Sequence, residues 1–414
     1  MANAAGLSAD ELRVRDACSQ RAAAMLNDLT HLVNTPTGPG SGDGLPALRD
    51  WFTRRLEAVG ATTHQVPGDP KESWLEGPTA RHGDGPSASV PPTLICRRRV
   101  AGAPSVLLCG HLDTVHEASS DFRSFTVDPS GKRATGPGCV DMKGGLVVAL
   151  HALEALEASG IRVSWTFMLN SDEETGSYHS DAALRSEAAA GYTAGLVFEP
   201  AMTDGGLVTQ RPGSGQFMIE TTGRGGHVGR DFAQSVSAVT ALAKCLVRVS
   251  ELPDVARGKI ASVGPLVGGS ATNVVPDHAA AWGNVRFENP TIAEELAAEL
   301  DALASGQPGQ LPGIGVRRSF HRPAKPLTPR VERLALAARE VAESLGQRLP
   351  FGKTGGVCDG NNMQAVGLAT IDTLGVRGGG LHTRDEWMEI PSLVERSQLA
   401  AVLIGRICRG VVEL

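Results

Sequence analysis

The chain has 414 residues, longer than one compact core usually reaches, so its length favours two domains or a large domain carrying an inserted smaller one. Its 41% hydrophobic and 20% charged residues are ordinary for a globular chain, and a net charge of -6 excludes the concentrated basic surface that nucleic acid requires. Seven scattered cysteines, none spaced as C-x-x-C, speak against a disulfide framework or a cysteine zinc site, no apolar run approaches the ~18 residues of a membrane span, and no leader pattern marks the N-terminus, so a cytoplasmic location is expected.

In chain order, apolar residues at helical spacing from Leu12 to Leu32 predict one long opening helix over about 9–33, ended by the Gly- and Pro-rich run after Thr35. A second helix is expected over 45–59 and a strand over 62–66, followed by an irregular surface loop at 67–91. Arg97 to Arg99 read as a solvated strand end. The apolar strand Val106–Gly110, a helix from about Met142 and a strand over 163–169 have the rhythm of an α/β sheet, whose strand ends share one ligand-binding edge. From 212 to 325 the order becomes strand (216–222), helix (233–249), strands (259–266 and 278–287), helix (292–304) and strand (314–319), the pattern of a small α+β sandwich. This divides the chain into 1–211 and 326–414, the two parts of a catalytic domain, and an insertion at 212–325. The last part is expected to supply a helix over 331–345 and a strand around 369–374.

The polar motifs fall at the ends of the apolar strands. In Gly110-His111-Leu112-Asp113, residues two apart in an extended chain share a side, so the Asp113 carboxylate can fix the His111 tautomer and raise its basicity as a ligand. Asp141 lies where a Gly-rich loop opens a helix; it is either an N-cap or a ligand, because the glycine spacing fits neither a dinucleotide fingerprint nor a phosphate loop. Asp172-Glu173-Glu174 is either a solvated acidic turn or a cluster whose mutual repulsion a cation relieves, one carboxylate binding metal while a neighbour accepts a proton from water. Glu199 follows another apolar strand, and His382 stands in a Gly-rich run. Together His111, Asp141, Glu174, Glu199 and His382 form an oxygen and imidazole donor set without sulfur, suited to two divalent ions such as zinc, cobalt or manganese.

The ordered motifs H-L-D-T-V, G-x-G-x-x-D-M-K-G-G, D-E-E-x-G-S, F-E-P, G-G-H-x-G, N-V-V-P and G-G-G-x-H, spread from about 106 to 386, resemble the zinc-dependent aminoacylase and carboxypeptidase family, and most closely its glutamate carboxypeptidase branch. The resemblance implies a two-metal exopeptidase-like mixed sheet with helices on both faces and an inserted lid and dimerisation domain. It also implies that Asp141 bridges two metals, that His111 and Glu199 complete one and Glu174 and His382 the other, and that the peptide after Asp141 is cis. Glu173 is then the general base, His227 of a neighbouring subunit stabilises the oxyanion, and Arg286 with Asn273 binds a substrate carboxylate. The segment 355–362 departs from the branch's G-G-T-D pattern, so leaving-group specificity does not transfer.

The expected activity is metal-dependent cleavage of an amide bond beside a carboxylate in a small peptide. The alternatives are an N-acyl amino-acid deacylase with the same chemistry, and a metal-binding homologue without activity. A homodimer is expected, with no nucleic-acid or membrane partner.

Overall fold

Successive residues of the central strands face two different helix layers, and this period of two sets the architecture. The computed structural model describes residues 6–78, 90–305 and 309–414; part of the expected 67–91 loop, residues 79–89, lies outside the described residues. Its largest sheet has six strands in the order Thr62–Val66, Thr93–Arg98, Ser164–Asn170, Ser105–His111, Ala194–Val197 and Thr370–Ile371. The last four run mutually parallel and the first two are antiparallel to their neighbours, a mixed sheet as expected. Leu94, Cys96, Val106, Leu108, Phe167 and Leu196 point into the main core, whereas Ile95, Leu107, Cys109, Met168 and Val197 point into a smaller core on the opposite face.

The helix Lys143–Ala158 crosses between two parallel strands on the main-core side and is buried along almost its whole length. It packs against Ala9–Gln20, Ala22–Asn34 and Pro391–Cys408. The other face is covered by Asp181–Ala188 and Asp359–Ala365, through Leu184 and Met363.

The inserted unit is a four-stranded antiparallel sheet, ordered Lys259–Gly268, His278–Phe287, Gly213–Thr222, Gly313–Arg322. One face carries the helices Ala238–Ser250 and Pro290–Asp301, whose Leu242, Cys245, Val249, Ile292, Leu296 and Leu300 bury against Phe217, Ile219, Ala281 and Val285. Each fully buried Leu or Ile contributes about 1.5–3 kcal/mol, enough for this small sheet to hold its own core.

Several expectations are corrected. The opening helix is two helices, because the chain turns at Arg21, whose N–H bonds Cys18 O and whose guanidinium leaves the helix axis for His151 and Glu154. The helix expected over 233–249 begins at Ala238, capped by the Ser237 side chain, after a separate 3-10 turn at Phe232–Gln234. The strand expected around 369–374 has only the two residues Thr370–Ile371, since Thr373 takes a left-handed backbone conformation (φ 63). Arg97 to Arg99 do end a strand, but only Arg99 is exposed: Arg97 pairs with Glu187 at 2.6 Å and Arg98 with Glu157 at 2.5 Å, both partly buried, while Arg99 donates to the Tyr192 hydroxyl at 3.1 Å. All seven cysteines are free and buried. No described helix is long and apolar enough to cross a membrane.

Candidate metal centre

The parallel strands deliver their polar residues to one edge, as their shared direction requires. His111 ends its strand; Glu173 and Glu174 form a short 3-10 turn after Ser164–Asn170; Glu199 follows Ala194–Val197. Asp141 stands before Lys143–Ala158, joined to Met142 by a cis peptide. His382 comes from a C-terminal loop and holds a positive φ of 61, a conformation costly for a residue with a Cβ, which aims its ring at the cluster.

The two oxygens of Asp141 face different histidines. His111 Nε2 lies 3.3 Å from Asp141 Oδ1 and 4.0 Å from Glu199 Oε1. His382 Nε2 lies 3.5 Å from Asp141 Oδ2 and 3.3 Å from Glu174 Oε2. Donor atoms of His111, Asp141 and Glu174, and of His111, Glu173 and Glu199, fall within 4.8 Å of one another. His111 Nε2 and Asp141 Oδ1 are both buried without a hydrogen-bond partner, a cost a folded protein rarely accepts unless a ligand supplies the missing contact. The donor chemistry and these two unsatisfied atoms fit divalent cations. The cluster opens onto a cavity of about 430 Å³, whose lining includes Met202, Arg211, Val357 and Leu381.

The local field favours positive charge. Hydrogen bonds to Asp141 and Glu174 raise His382 to about 10. Burial opposes ionisation of Asp141, but His111 and His382 on either side hold it below the usual carboxylate range. Burial would depress His111, yet the Asp113 and Asp141 carboxylates push it well above its ordinary value. Burial, then the Asp141 charge, lifts Glu199 well above the carboxylate range. Glu173 is raised to about 7 by burial, against the opposing pull of Arg322.

A layer of buried groups holds these side chains. His111 Nδ1 meets the Asp113 backbone carbonyl at 3.0 Å, while the Asp113 carboxylate accepts the backbone N–H of Glu173 at 3.3 Å and of Glu174 at 2.9 Å. The hydrogen bond to His111 therefore comes from the Asp113 backbone carbonyl and not, as expected, from its carboxylate, which stands 3.4 Å from Nδ1 and orients the glutamates instead. Glu386 accepts the N–H groups of Gly138, Val140 and Asp141 at 2.8, 2.9 and 3.1 Å, and pairs with His116 at 2.7 Å. Arg322 lies 2.8 Å from Glu173 Oε1. Sequence reasoning missed Glu386 and Arg322. The only signal for Glu386 is an acid four residues beyond His382, and Arg322 sits in a basic strand that reads as solvent-facing.

The remaining expected residues are not drawn into this cluster. His227 and Asn273 are exposed together on a two-stranded ribbon of the inserted unit, where Gly226–His227 pairs with Val274–Val275 from far along the chain and Val228 N–H donates to Asn273 O at 3.0 Å. Arg286 is half-buried and donates to Ser214, Asn284 and the Val285 carbonyl. Arg286 and Arg322 stand opposite Ser214 on the two strands that flank it, and burial, then the Arg322 charge, lower the Arg286 pKa.

Comparison with known proteins gives a match of residues 107–406 to the model of peptidase family M20/M25/M40. Carboxypeptidase G2 of Pseudomonas sp. (strain RS-16) is 26% identical over 403 residues, covering 94% of this chain and 90% of the relative. A succinyl-diaminopimelate desuccinylase of Psychrobacter arcticus is 26% identical over 325 residues, covering 73% and 78%. Among solved structures, a tripeptidase from Staphylococcus aureus superposes with a TM-score of 0.73 at 21% identity, covering 94% of this chain and 99% of that one.

Proposed function

The chain belongs to peptidase family M20/M25/M40, and from that premise we propose that it is a dinuclear metallohydrolase that cleaves an amide bond beside a carboxylate in a small peptide, in the manner of a glutamate carboxypeptidase. The observation that carries the reading is Asp141, its two oxygens directed at His111 and His382, with Glu173 beside them and paired to Arg322. In this reading two divalent ions, zinc or alternatively cobalt or manganese, would be held by these residues, with Asp141 shared between them, His111 and Glu199 completing one and Glu174 and His382 the other. When bound, the ions supply Lewis acidity and lower the pKa of water.

The protein's own groups do the rest. Glu173 removes a proton from the attacking water, a C–O bond forms as the carbonyl π bond opens to an oxyanion, and the collapse of that oxyanion breaks the C–N bond while the same carboxyl returns the proton to the leaving nitrogen. Glu173, partly buried beside the cluster and held by Arg322, is placed to carry the proton through both halves of that transfer. Asp113 holds the Glu173 and Glu174 backbone in place. Arg286, with Asn273, binds the substrate carboxylate; support for an anionic group on this side comes from Arg322, whose Nη1 is buried with no protein partner. His227 reaches the site of a partner subunit and donates to the developing oxyanion. Its exposure, beside the exposed apolar Val228, Phe232 and Val274, supports a homodimer built through the lid. Seven free buried cysteines support a cytoplasmic setting.

The likeness to succinyl-diaminopimelate desuccinylases favours a second reading, an N-acyl amino-acid deacylase using the same groups. A panel of dipeptides ending in glutamate and of N-acyl amino acids, assayed on zinc-loaded and chelated protein, separates the two. Metal-dependent release of C-terminal glutamate is the expected result. Release of acyl groups alone selects the deacylase, and no turnover with zinc, cobalt or manganese leaves a metal-binding homologue without activity.

A further inference from the structure

The segment 355–362 is absorbed by none of these roles, yet its buried side chains grip both crossings between the domains. The chain passes into the inserted unit at Arg211–Gly213 and back at Arg322–Lys325. The two crossings meet in a backbone bridge, with Arg211 N–H donating to Lys325 O at 2.9 Å and Lys325 N–H to Arg211 O at 3.0 Å. Asn361, fully buried, sends its side-chain N–H groups to one carbonyl of each crossing: Pro212 O at 2.9 Å and Pro323 O at 2.8 Å. Its own carbonyl oxygen accepts Cys358 N–H at 3.1 Å, so each polar atom of the amide is used. No other side chain of this size offers two donors and an acceptor in one plane.

Arg322 immediately precedes Pro323, and it is the residue that meets the glutamate. Its Nη2 contacts Glu173 Oε1 at 2.8 Å and Ser177 Oγ at 2.7 Å, with Asp359 Oδ1 3.6 Å away. Asp359 also accepts Ser177 Oγ–H at 2.5 Å, which fastens the turn that carries Glu173. Asp359 and Asn361 lie on the same seven-residue helix, Asp359–Ala365. A single rigid element thus holds the hinge backbone at one point and the guanidinium and the Glu173 turn at another.

We propose that Asn361 and Asp359 are positioning residues that couple the hinge of the inserted domain to the general base: Asn361 sets where the second crossing lies, and the crossing sets whether Arg322 is held against Glu173. The inference rests on the reading of Glu173 as the base. It gives the departure at 355–362 a task separate from leaving-group recognition.

The test is a double-mutant cycle on the full-length, metal-loaded protein with Asn361→Ala, Arg322→Lys and the pair, together with Asn361→Ser, which retains one donor and replaces the alanine variant if that one does not fold. Asn361→Ala is expected to lower kcat by about tenfold with KM changed by less than about twofold and bound metal unchanged, and to cost almost nothing more once Arg322 is lysine. Hydrogen exchange of the resting protein gives a readout without turnover: the Gly176 and Ser177 amides, bonded to Glu173 O at 2.8 Å and Asp172 O at 2.7 Å, are expected to exchange faster in the Asn361 variants. Additive losses in the cycle, or faster exchange confined to the crossings, overturn the coupling. Glu173→Gln assayed in parallel keeps the two readings apart, because retained turnover there removes the base assignment while the exchange data still judge the hinge.

Discussion

The cluster at the strand ends and the tip of the inserted domain hold their functional candidates in opposite ways. His111, Asp141 and Glu199 are buried, fixed by a sheet and a buried helix, and meet one another within one subunit. His227 and Asn273 are exposed, touch mainly their own two-stranded ribbon, and meet none of the cluster. Donor atoms that must share a cation need fixed geometry, so a rigid sheet edge suits them. A group that acts only once substrate has bound can sit on a separate body that moves or comes from a partner. The lid tip is therefore expected to matter for turnover and not for metal binding, and the cluster for both.

The sharpest way to break this division is Glu173→Gln, which is expected to lower kcat by about 10²–10⁴ while bound metal, measured by elemental analysis, stays the same. Loss of metal with the activity would make Glu173 a ligand, and its place within reach of His111 and Glu199 makes that a real alternative to exclude. Next in size, His227→Ala is expected to cost about 10²–10³ in kcat with metal affinity unchanged. Mixing His227→Ala and Glu173→Gln subunits is expected to restore about a quarter of wild-type activity, since a half of the dimers would be mixed and one of their two sites intact. No recovery on mixing places His227 in its own subunit's chemistry or outside it altogether. Smaller again, Glu386→Gln is expected to weaken metal binding by about 10–100-fold, because its carboxylate gathers the three N–H groups that orient Asp141. Unchanged affinity, by competition with a chelator, would reduce Glu386 to a loop cap.

The same contrast explains what could be read before the fold was known. His111, Glu174 and Glu199 are legible because each stands at or just after the end of an apolar strand, and parallel strands bring their ends together whatever their spacing in the chain, whereas Asp141 at a helix entry and His382 in a Gly-rich loop are legible only through the ordered motifs. Glu386 and Arg322 are not, because a buried ion and a solvated one look alike until the partner is known, and their partners lie 245 and 149 residues away. The hinge role of Asn361 depends on two carbonyls that only the folded crossings bring together. Periodicity misled where it ran through a break: at Arg21 a side chain pulled into the Glu154 and Asp28 charge network ends the helix, and at Phe232–Gln234 a 3-10 turn extends the apolar pattern that the Ser237 cap begins. The C-terminal helix Pro391–Cys408 escaped notice for another reason. Much of its surface is buried, so it lacks the polar face that marks a helix by its period.

The seam between the two regions supplies the smallest test. His321, beside Arg322 on the last lid strand, stacks on Tyr178 with ring centroids 3.8 Å apart and meets the Gly176 carbonyl through Nε2. Its Nδ1 is buried with no partner, so a second proton there has nothing to bond. Burial, with a further push from Arg322, lowers its pKa to about 4 from the ordinary 6.5. Because the folded value is depressed, the unfolded chain takes up the proton first as pH falls, and the stability gained from a neutral His321 is present above about 6.5 and lost progressively down to about 4. His321→Gln keeps a donor for Gly176 and cannot titrate. Melting followed from pH 7 to 4 is expected to fall less steeply for that variant, by about 2–4 °C over the window. Parallel curves would mean that the seam does not sense this proton, and that the lid's attachment rests on Asn361, Arg322 and the Arg211 and Lys325 pairing with Asp372 alone.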